Sequence, residues 1–527
     1  MYNIKIFSLL VLISILFSNT ESIITYELKI ANGKGESRNF FENLIDINTF
    51  HDNGLYFFTQ LEYSVPPLLG ESGNNIDDII NIMYAQYSGN NYDLTIGNLY
   101  LLQGMGLSLH TYQNQDIDYD NSLYGVDINY NLNSNFDIFS SIGFNNVKSR
   151  INPGDISPSI SIKNNVGVIG TRFFHDSFEL HYLTMAYKQK YDSEDLINLF
   201  SLTNDLGNHL SSLTDFIVNE NPSIEMNNLE HNIGISFTLG SFDFNLEKSF
   251  AFYNKILSER QSGYKNYMSI YTNILGYDIL YEYKDYNTSM LYNVFANPPV
   301  VFKEPSSVLI GRNLHAIDFS SEYGHQIDIN KIYKNDLSFN ISYAFALQHR
   351  ESYENQDLFD FSIYNDLTSL MPLLPYKQYF VEFSNWSKND KFYYRIGYDY
   401  YYESLFDKTI EARTIPMQYV YKLKKGNSFT VYFELQNKYD ATNYKEYDFV
   451  YLSPSYNHYG KWSFTFFADL DLDNEDTYAI DYTVNIKDTQ LSLFVGSQKG
   501  GMVCANGSCI QQPDFDDGLK VTLRTSF

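Results

Sequence analysis

The sequence predicts an all-β fold: a single large transmembrane antiparallel β-barrel of about 24–26 strands, with long outer loops and segments inserted into the lumen. Three observations support this class. Apolar and polar side chains alternate over segments of about 9–13 residues, turn-forming residues separate these segments, and the chain ends on an aromatic strand. In a membrane barrel one face of each strand contacts lipid and the other faces water, which gives a period of two.

The carboxy-terminal strand shows this alternation clearly. After Gly518, every apolar position lies on one face, and the positions between them are polar. The apolar positions are Leu519, Val521, Leu523 and the terminal Phe527. This pattern is typical of the insertion signal of bacterial outer-membrane barrels, so we expect the barrel-assembly machinery to bind it. The alternative is the last strand of a soluble β-sandwich.

Internal strands repeat the pattern. Leu337–Leu347, Phe429–Leu435 and Trp462–Leu472 each place large apolar side chains on one parity and small or polar side chains on the other. Eleven tilted residues suffice to cross the hydrocarbon layer. Glu434 is expected to point into the lumen, because a carboxylate facing lipid would be costly.

Composition limits the partners. The formal net charge is −27, which argues against nucleic acid as a partner. The acidic groups would either lie in solvated loops or favour cations in a pore. Mean hydropathy is −0.31 although 44% of residues are hydrophobic, as expected for strands that face lipid on one side only.

The amino terminus predicts export. Met1–Thr20 reads as a cleaved signal peptide, with Lys5 as its positive residue and Ile6–Phe17 as its apolar core. An uncleaved anchor is the alternative, but the apolar core is short for one. Residues 21–527 would then form one barrel in the lipid of the bacterial outer membrane.

The alternation fails in two places, Gly97–Asn121 and Asn297–Asn313. The first contains Gly104 and Gly106, which suggest a kink, and the second contains three prolines, which disfavour a wall strand. We predict that both segments fold into the lumen and narrow it. The alternative is an error in the strand count. Asp192–Val218 has rough helical spacing and predicts a long outer loop, either a lid or a solvated segment.

Two cysteines, Cys504 and Cys509, are separated by four residues near the carboxy terminus. In an exported chain this spacing predicts a small disulfide loop capping the final outer link. Two cysteines are too few for a structural zinc site.

An acidic ladder is predicted inside the barrel. Asp469, Asp471 and Asp473 share the polar parity of their strand, near the outer end of the lumen. Such oxygen ligands suit loosely bound Ca²⁺, as do those of Asp514, Asp516 and Asp517, although no confident metal site emerges from their spacing. General attraction of cations and a solvated turn are the respective alternatives.

Several residues of the two irregular segments are candidates for a constriction. In a lumen, their charges would set up a transverse field that sorts solutes. The alternative is mutual salt-bridging that fixes the second segment in place. The candidates are Gly104, Gly106, His110, Lys303, Glu304, Arg312 and His315.

Several stretches resemble an uncharacterised family of porin-like outer-membrane β-barrel proteins, known only as a domain of unknown function. The matching stretches are Phe41–Asp46, Gly97–Tyr100, Gly104–Leu109, Tyr119–Gly125, Pro298–Glu304, Gly311–His315 and Gly500–Cys509. The resemblance implies a compartment and one barrel across most of the chain, but no activity. Met105 stands where the family usually has arginine, which weakens the case for a charged constriction.

No catalytic motif is present among the common ones: there is no Gly-x-Ser-x-Gly elbow, phosphate loop or dinucleotide fingerprint. We therefore expect no enzyme activity and no cofactor beyond loosely bound Ca²⁺. The leading expectation is a porin-like channel for passive passage of small polar or cationic solutes. The alternative is an occluded barrel that binds partners or serves a structural role through its outer loops. The sequence identifies no partner protein.

Overall fold

A computed structural model of the chain provides the structure. It describes residues 20–34, 39–65, 79–115, 119–149, 160–192, 223–253, 262–288, 294–313, 315, 317, 319, 321–334, 336–349, 373–387, 389–404, 408–472, 475–505, 508–512 and 514–527. The signal peptide, most of Asp192–Val218 and Asp473 lie outside these residues, so those predictions stay predictions. No helix in the described ranges is long and apolar enough to span a membrane.

The regular elements are almost all strands. In chain order they are β1 Thr20–Lys34, β2 Phe40–His51, β3 Leu55–Val65, β4 Ile80–Ser88, β5 Tyr92–Leu99, β6 Leu102–Gln103, β7 Leu109–His110, β8 Gln113–Asn114, β9 Tyr119–Asp120, β10 Leu123–Asn133, β11 Phe136–Ser149, β12 Ile160–His175, β13 Phe178–Asp192, β14 Ser223–Leu239, β15 Phe242–Phe252, β16 Ser262–Ile274, β17 Tyr277–Asn287, helix α1 Val308–Gly311, β18 Ser321–Ile332, β19 Ser338–Gln348, β20 Tyr376–Trp386, β21 Phe392–Ser404, β22 Thr409–Lys422, a 3₁₀ turn Lys424–Gly426, β23 Ser428–Asp440, β24 Lys445–His458, β25 Trp462–Asp471, β26 Thr477–Ile486, β27 Thr489–Gln498, β28 Gly501–Ala505, β29 Ser508–Gln512 and β30 Phe515–Ser526.

Within the described residues, 24 of these strands form one closed antiparallel sheet. Each wall strand pairs with its neighbours along the chain, and the small strands between β5 and β10 and between β27 and β30 stay outside this sheet. The last strand closes the barrel against the first, with Ile30 opposite Val521 and Leu28 opposite Leu523. The predicted fold class is confirmed, at the lower limit of the expected strand number.

The barrel has two unlike ends. At the turn end, wall strands are joined by links of two to five residues, and the first and last strands meet there through Ile24 and Phe527. At the loop end, the links include all the long ones, such as 193–222 and 499–514. Short turns on one side and long loops on the other are the usual asymmetry of outer-membrane barrels.

Burial follows strand parity. On β11 and β12, the outward Ile142 and Ile169 are 68% and 58% exposed, whereas the inward Ser141 and Asn164 are buried. Such a row of exposed apolar side chains would be unfavourable in water but matches the hydrocarbon of a bilayer. In β30, the outward Leu519 is 45% exposed.

One part of the wall departs from the simple pattern. In β19 the outward Phe345 and Leu347 are almost fully buried, whereas the sequence predicts a face exposed to lipid. They pack with Tyr323 of β18 and with Leu373. The end of the link between β19 and β20 therefore lies over the outer surface of the wall at the loop end, and this arrangement covers two side chains that alternation assigns to lipid.

Both segments at which the alternation failed lie inside the barrel. We name the described residues of 100–122 segment A and the described residues of 294–319 segment B. Segment A contributes buried leucines to a cluster with inward side chains of β11 to β13. Segment B contributes Phe302 to another with Ala344, Ala346 and Tyr376. The hypothesis that these segments fold into the lumen is confirmed.

Candidate functional site

Segment A rests on an apolar core within the lumen. Its Leu101 and Leu109 are buried against Phe139, Leu183 and Met185 of the wall strands. Leucines buried in this way inside a barrel lumen exclude water from that part of the cross-section. Segment A is therefore an integral part of the folded interior of the barrel.

A buried polar network also anchors segment A. Lys265 Nζ donates to the carbonyl oxygen of Leu107 at 2.8 Å and to Glu230 Oε1 at 3.2 Å. The hydroxyl groups of Ser108 and Ser249 both donate to the same carboxylate oxygen, at 2.8 and 2.5 Å. Buried charges are tolerated only when they are paired and hydrogen-bonded in this way.

The two glycines of segment A have the backbone conformation that glycine favours. Gly104 has φ +59° and Gly106 has φ +79°. A side chain at Gly104 would collide with Glu247 and His181 on the barrel wall, and a Cβ at Gly106 would lie 2.8 Å from the carbonyl oxygen of Asn297. The predicted kink is present, and it brings the backbone close to the wall and to segment B.

Segments A and B contact each other near the middle of the lumen. The backbone N–H of His110 donates to the carbonyl oxygen of Phe295 at 2.7 Å, and that of Asn297 donates to Gly106 at 3.0 Å. Asn297 Nδ2 lies 3.3 Å from His110 Nδ1. Burial lowers the pKa of His110. The sequence-predicted residues of the two segments therefore belong to one assembly across the lumen.

Segment B is held by ionic contacts, first among them those of His315. Its Nδ1 lies 2.7 Å from Glu403 Oε1, and its Nε2 lies 3.2 Å from Glu322 Oε2. The ring stacks on Tyr376 at 4.0 Å between centroids. Burial alone lowers the pKa of His315, but the two carboxylates outweigh it and raise the pKa to about 9. The imidazolium is therefore the form that the site holds at neutral pH.

Lys284 extends this cluster. Its ammonium group pairs with Glu322 and also donates to the carbonyl oxygen of Val300 at 2.6 Å. The Tyr286 hydroxyl donates to the carbonyl oxygen of Pro299 at 2.9 Å. The proline-rich start of segment B thus places its carbonyl oxygens where wall side chains of β17 can donate to them.

Helix α1 is held by Glu434. The backbone N–H groups of Val308 and Leu309 donate to the two carboxylate oxygens at 3.0 and 2.9 Å. Gln436 donates to the Leu309 carbonyl oxygen at 2.9 Å. A carboxylate accepting the free N–H groups at a helix start is a favourable arrangement. The prediction that Glu434 points inward is confirmed.

The acidic ladder has cationic partners. Both guanidinium N–H₂ groups of Arg312 contact the carboxylate of Asp469, and Lys499 Nζ lies 3.3 Å from Asp471 Oδ2. Both described acids of the ladder are buried on the lumen parity of β25, and each is paired with a cation, which limits their availability to a passing cation. The arrangement matches the salt-bridging alternative, in which Arg312 fixes segment B to β25.

Two further candidates lie beside this anchor. Lys303 Nζ lies 5.4 Å from the centroid of the Phe380 ring, a cation–π contact, and Glu304 is exposed. Neither forms an ion pair with a residue in the described part of the chain. Of the four charged side chains predicted in segment B, Arg312 and His315 are the ones that bind the wall through ion pairs.

Cavities lie on opposite sides of segment A. One, of about 750 Å³, lies at the loop end and is lined largely by amide and charged side chains, including Gln113 and Asp120. Another, of about 260 Å³, lies towards the turn end and is lined by Gly104, Arg172 and Glu179 among others. Segment A lies between two polar spaces, so a solute crossing this half of the lumen must pass it.

The predicted cation ligands do not converge on one point. No group of three or more His, Cys, Asp or Glu in the described ranges could hold a metal ion. Asp514 accepts from the Gly500 N–H at 2.7 Å, Asp517 pairs with Lys34, and Asp516 lies in β30. The structure does not test loosely bound Ca²⁺, which stays a prediction.

The cysteine loop is a short hairpin. Strands β28 and β29 pair antiparallel, and Cys504 is opposite Cys509 in their register. Opposite residues in an antiparallel pair have Cα atoms about 4.5–5.5 Å apart, which suits a disulfide. A Cβ on Gly501, at the start of β28, would lie 3.2 Å from Arg312 Cγ, so this hairpin begins beside segment B.

The sequence did not identify several residues of the site. They are buried charged or polar side chains that segments A and B contact, namely His181, Glu230, Glu247, Lys265, Lys284, Glu322 and Glu403. All of them lie on the lumen parity of wall strands. The signal in the sequence was an ionisable residue on the lumen face of a wall strand, because such a residue needs a partner inside the barrel.

Solved structures with a similar fold are outer-membrane barrels of low identity. The siderophore receptor PirA from Pseudomonas aeruginosa is 8% identical with a TM-score of 0.45, covering 97% of this chain and 80% of that one. The copper transporter OprC is 10% identical with a TM-score of 0.44, covering 97% and 81%. The P pilus usher (PapC) translocation pore is 10% identical with a TM-score of 0.40, covering 96% and 99%.

Comparison with curated protein sequences gives no match. A family model, however, matches residues 13–527, which include both segments and the whole described barrel wall. The suspected relationship to a family of unknown function is confirmed. The chain belongs to the family of unknown function DUF6029.

Proposed function

We propose that this protein is a bacterial outer-membrane barrel that gives small polar solutes a restricted passive passage, with segment B as the part that must move. The observation that carries this proposal is the contrast between the two inserted segments. Segment A is held mainly by apolar side chains, whereas segment B, which is also packed in an apolar cluster, adds ion pairs of its own Arg312 and His315 with the wall. When both partners of an ion pair become hydrated together, no charge is left buried alone, so such contacts suit a closure that opens.

Polar lining supports the choice of solute. On its lumen side the loop-end cavity is lined by Asn81, Asn98, Gln113 and other amide side chains, which donate and accept hydrogen bonds, together with the acids Glu62 and Asp120. The acids that were expected to favour cations are paired with Arg312 and Lys499. The proposal therefore includes small polar solutes and assigns no charge preference and no catalytic step.

The membrane and the assembly route belong to the same proposal. Exposed apolar side chains surround the wall, which fits the lipid of an outer membrane reached through the predicted signal peptide. The outward row of β30, Leu519 to Leu523, with the exposed Phe527, would be the signal for the barrel-assembly machinery. The hairpin of Cys504 and Cys509 would form a disulfide in that oxidising compartment.

A second candidate is a closed barrel that acts through its outer loops. The observation that favours it is that segments A and B contact the inner faces of strands from β3, through Gln113 and Gln60, to β25, through Arg312 and Asp469. A lumen blocked permanently across this width would not conduct. The two candidates therefore differ in one measurable property, the passage of ions.

Conductance across planar bilayers tests the proposal. The purified barrel is compared with the double variant Arg312→Gln/His315→Gln, which removes two wall contacts of segment B but keeps side-chain size similar. We expect small, infrequent openings in the native protein and at least about tenfold more open time in the variant, since each lost buried pair is worth more than about 1.4 kcal/mol. The matched control is Lys408→Gln/Arg413→Gln, which removes two exposed charges from the wall.

Heat-dependent mobility in detergent gels shows that each variant still forms a barrel. Absence of current from both the native protein and the double variant would reject the pore and leave the closed barrel. Equal, large currents from both would retain a pore but reject segment B as its closure.

A further inference from the structure

A group of lysines lies on the outward face of the wall at the loop end. Lys148 on β11, Lys163 on β12 and Lys188 and Lys190 on β13 occupy the parity opposite to the buried lumen row. That row includes Val147, Ile162 and Gln189, all almost fully buried. Alternation thus directs the four ammonium groups away from the lumen, towards the surroundings of the barrel.

Strand register places these lysines just beyond the apolar belt. Phe144, which is 56% exposed, is opposite Asn165, which in turn is opposite Lys188. Two residues further towards the loop end, Asn146 is opposite Lys163, which is opposite Lys190. With about 3.4 Å per residue, these two lysines lie roughly 7 Å beyond the level of Phe144 along the strands, and Lys148 roughly 14 Å beyond it.

The charge of this face contrasts with that of the whole chain. The chain carries a net charge of −27, but on this outward face four lysines outnumber the two acids, Glu225 and Asp192. Two further acids, Glu62 and Asp120, line the lumen side of the adjoining cavity. Glu225 forms a salt bridge with Lys188, with 2.6 Å between Oε2 and Nζ. Lys163 and Lys190 are direct cross-strand partners, an unfavourable arrangement of like charges that a bound anion would relieve.

The barrel wall is shorter at the loop end beside these lysines. Strand β10 pairs with β11 only as far as Tyr124 and Phe144, whereas β11 continues to pair with β12 as far as Ser149. Asn145, just beyond that point, donates instead to the carbonyl oxygens of Asn121 and Ser122 in segment A. The result is a notch about five residues deep between β10 and β11.

A cavity occupies this notch. The loop-end cavity of about 750 Å³ extends from lumen-side residues such as Glu62 and Gln113 through the notch to all four lysines and to Tyr124 and Phe144. The rings of Tyr124 and Phe144 lie 5.8 Å apart and are exposed on the lipid side. Aromatic side chains at this level are typical of the membrane interface, where headgroups meet hydrocarbon. The notch thus has an apolar base and a cationic upper wall.

We propose that this notch binds the phosphorylated headgroup of an outer-leaflet lipid, with its phosphates against Lys163, Lys188 and Lys190 and its acyl chains along the apolar belt below. The positive charge of the lysines favours a partner that carries phosphate. Because the lysines adjoin the apolar belt, that partner is a lipid and not a soluble anion. Lys148 and the amides of Asn146 and Asn165 line the same cavity and would contact the sugar or glycerol part. The proposal does not depend on whether the lumen conducts.

Lipid binding to the intact barrel tests this site. Native mass spectrometry in detergent counts bound diphosphoryl lipid A on the wild-type protein and on the variant Lys148→Gln/Lys163→Gln/Lys188→Gln/Lys190→Gln. Because each lysine near a charged headgroup adds to the attraction, we expect at least about a tenfold loss of affinity in the variant. The control replaces four exposed turn-end lysines, Lys391, Lys424, Lys425 and Lys487, by Gln, and should bind as the wild type does.

Three further probes separate the sources of the anion: dephosphorylated lipid A, inorganic phosphate and a soluble anionic polysaccharide. The lipid site is supported when only the phosphorylated lipid binds tightly. Equal binding of the dephosphorylated lipid, tight binding of phosphate or polysaccharide without acyl chains, or equal losses in both lysine variants would overturn it. Heat-dependent gel mobility confirms that both variants are folded barrels.

Discussion

Segments A and B enter the lumen from the same end of the barrel, but different forces hold them. Segment A buries leucines in an apolar cluster and hydrogen-bonds to the ion pair of Lys265 with Glu230, which both belong to the wall. Segment B is also packed in an apolar cluster, but it contributes its own charged groups, Arg312 and His315, to ion pairs with the wall. The two segments therefore differ in which side supplies the charge, and the proposed passage assigns the movement to segment B.

The largest effect is expected from the central anchor of segment A. Lys265→Met leaves the fully buried carboxylate of Glu230 without its cation and should reduce the free energy of unfolding by about 3–5 kcal/mol. Urea titration of the barrel in detergent micelles measures this change. Lys248→Met, on the neighbouring strand with its ammonium over the Phe250 ring, should cost about 1 kcal/mol or less. If both variants lost similar amounts of unfolding free energy, the Lys265–Glu230 pair would not be a special anchor of segment A.

An intermediate and local effect is expected in segment B. Glu434→Gln replaces two charge-assisted bonds to the Val308 and Leu309 amides by at most one neutral bond, a loss of about 1–2 kcal/mol. Tryptic cleavage after Lys303 and Arg312, followed by mass spectrometry, should become several-fold faster while the urea midpoint changes little. Glu446→Gln, on the exposed end of β24, is the control and should leave cleavage unchanged. A large shift in global stability would mean that segment B is as integral as segment A.

The smallest effect on segment B is expected from a rise in pH. Because the pKa of His315 is raised to about 9, its contribution to holding segment B is complete below the ordinary value near 6.5 and is lost as pH rises through 9. At pH 10 the imidazolium fraction falls to roughly a tenth, so tryptic cleavage of segment B and bilayer conductance should both increase a few-fold between pH 7 and 10. The variant His315→Gln should show no such rise. A native protein with a flat profile would show that this contact does not limit segment B.

The barrel could be predicted because alternation is a local property. The face of β30, the inward direction of Glu434 and the positions of the short turns all follow from residues two apart or from turn formers. The two irregular segments were recognisable for the same reason, since they break the local pattern. Their location within the lumen then follows from having no place in the wall.

Most contacts within the lumen could not be predicted, because they join residues far apart in the chain. Arg312 meets Asp469 and His315 meets Glu403 only after the wall strands have fixed their angular positions around the barrel. Sequence alternation gives the parity of Asp469 but not the partner that neutralises it. The burial of Phe345 and Leu347 has the same origin, because it depends on how the link containing Leu373 lies against the wall.

The seam between β1 and β30 has a consequence for biogenesis. Glu27 and Arg524, 497 positions apart, meet across it with 2.7 Å between Nε and Oε2. Until the final strand has been synthesised and paired, the first strand keeps an unsatisfied edge that invites aggregation. The barrel therefore stays unsealed until its last residues join, and even a short truncation of its tail would leave two open edges.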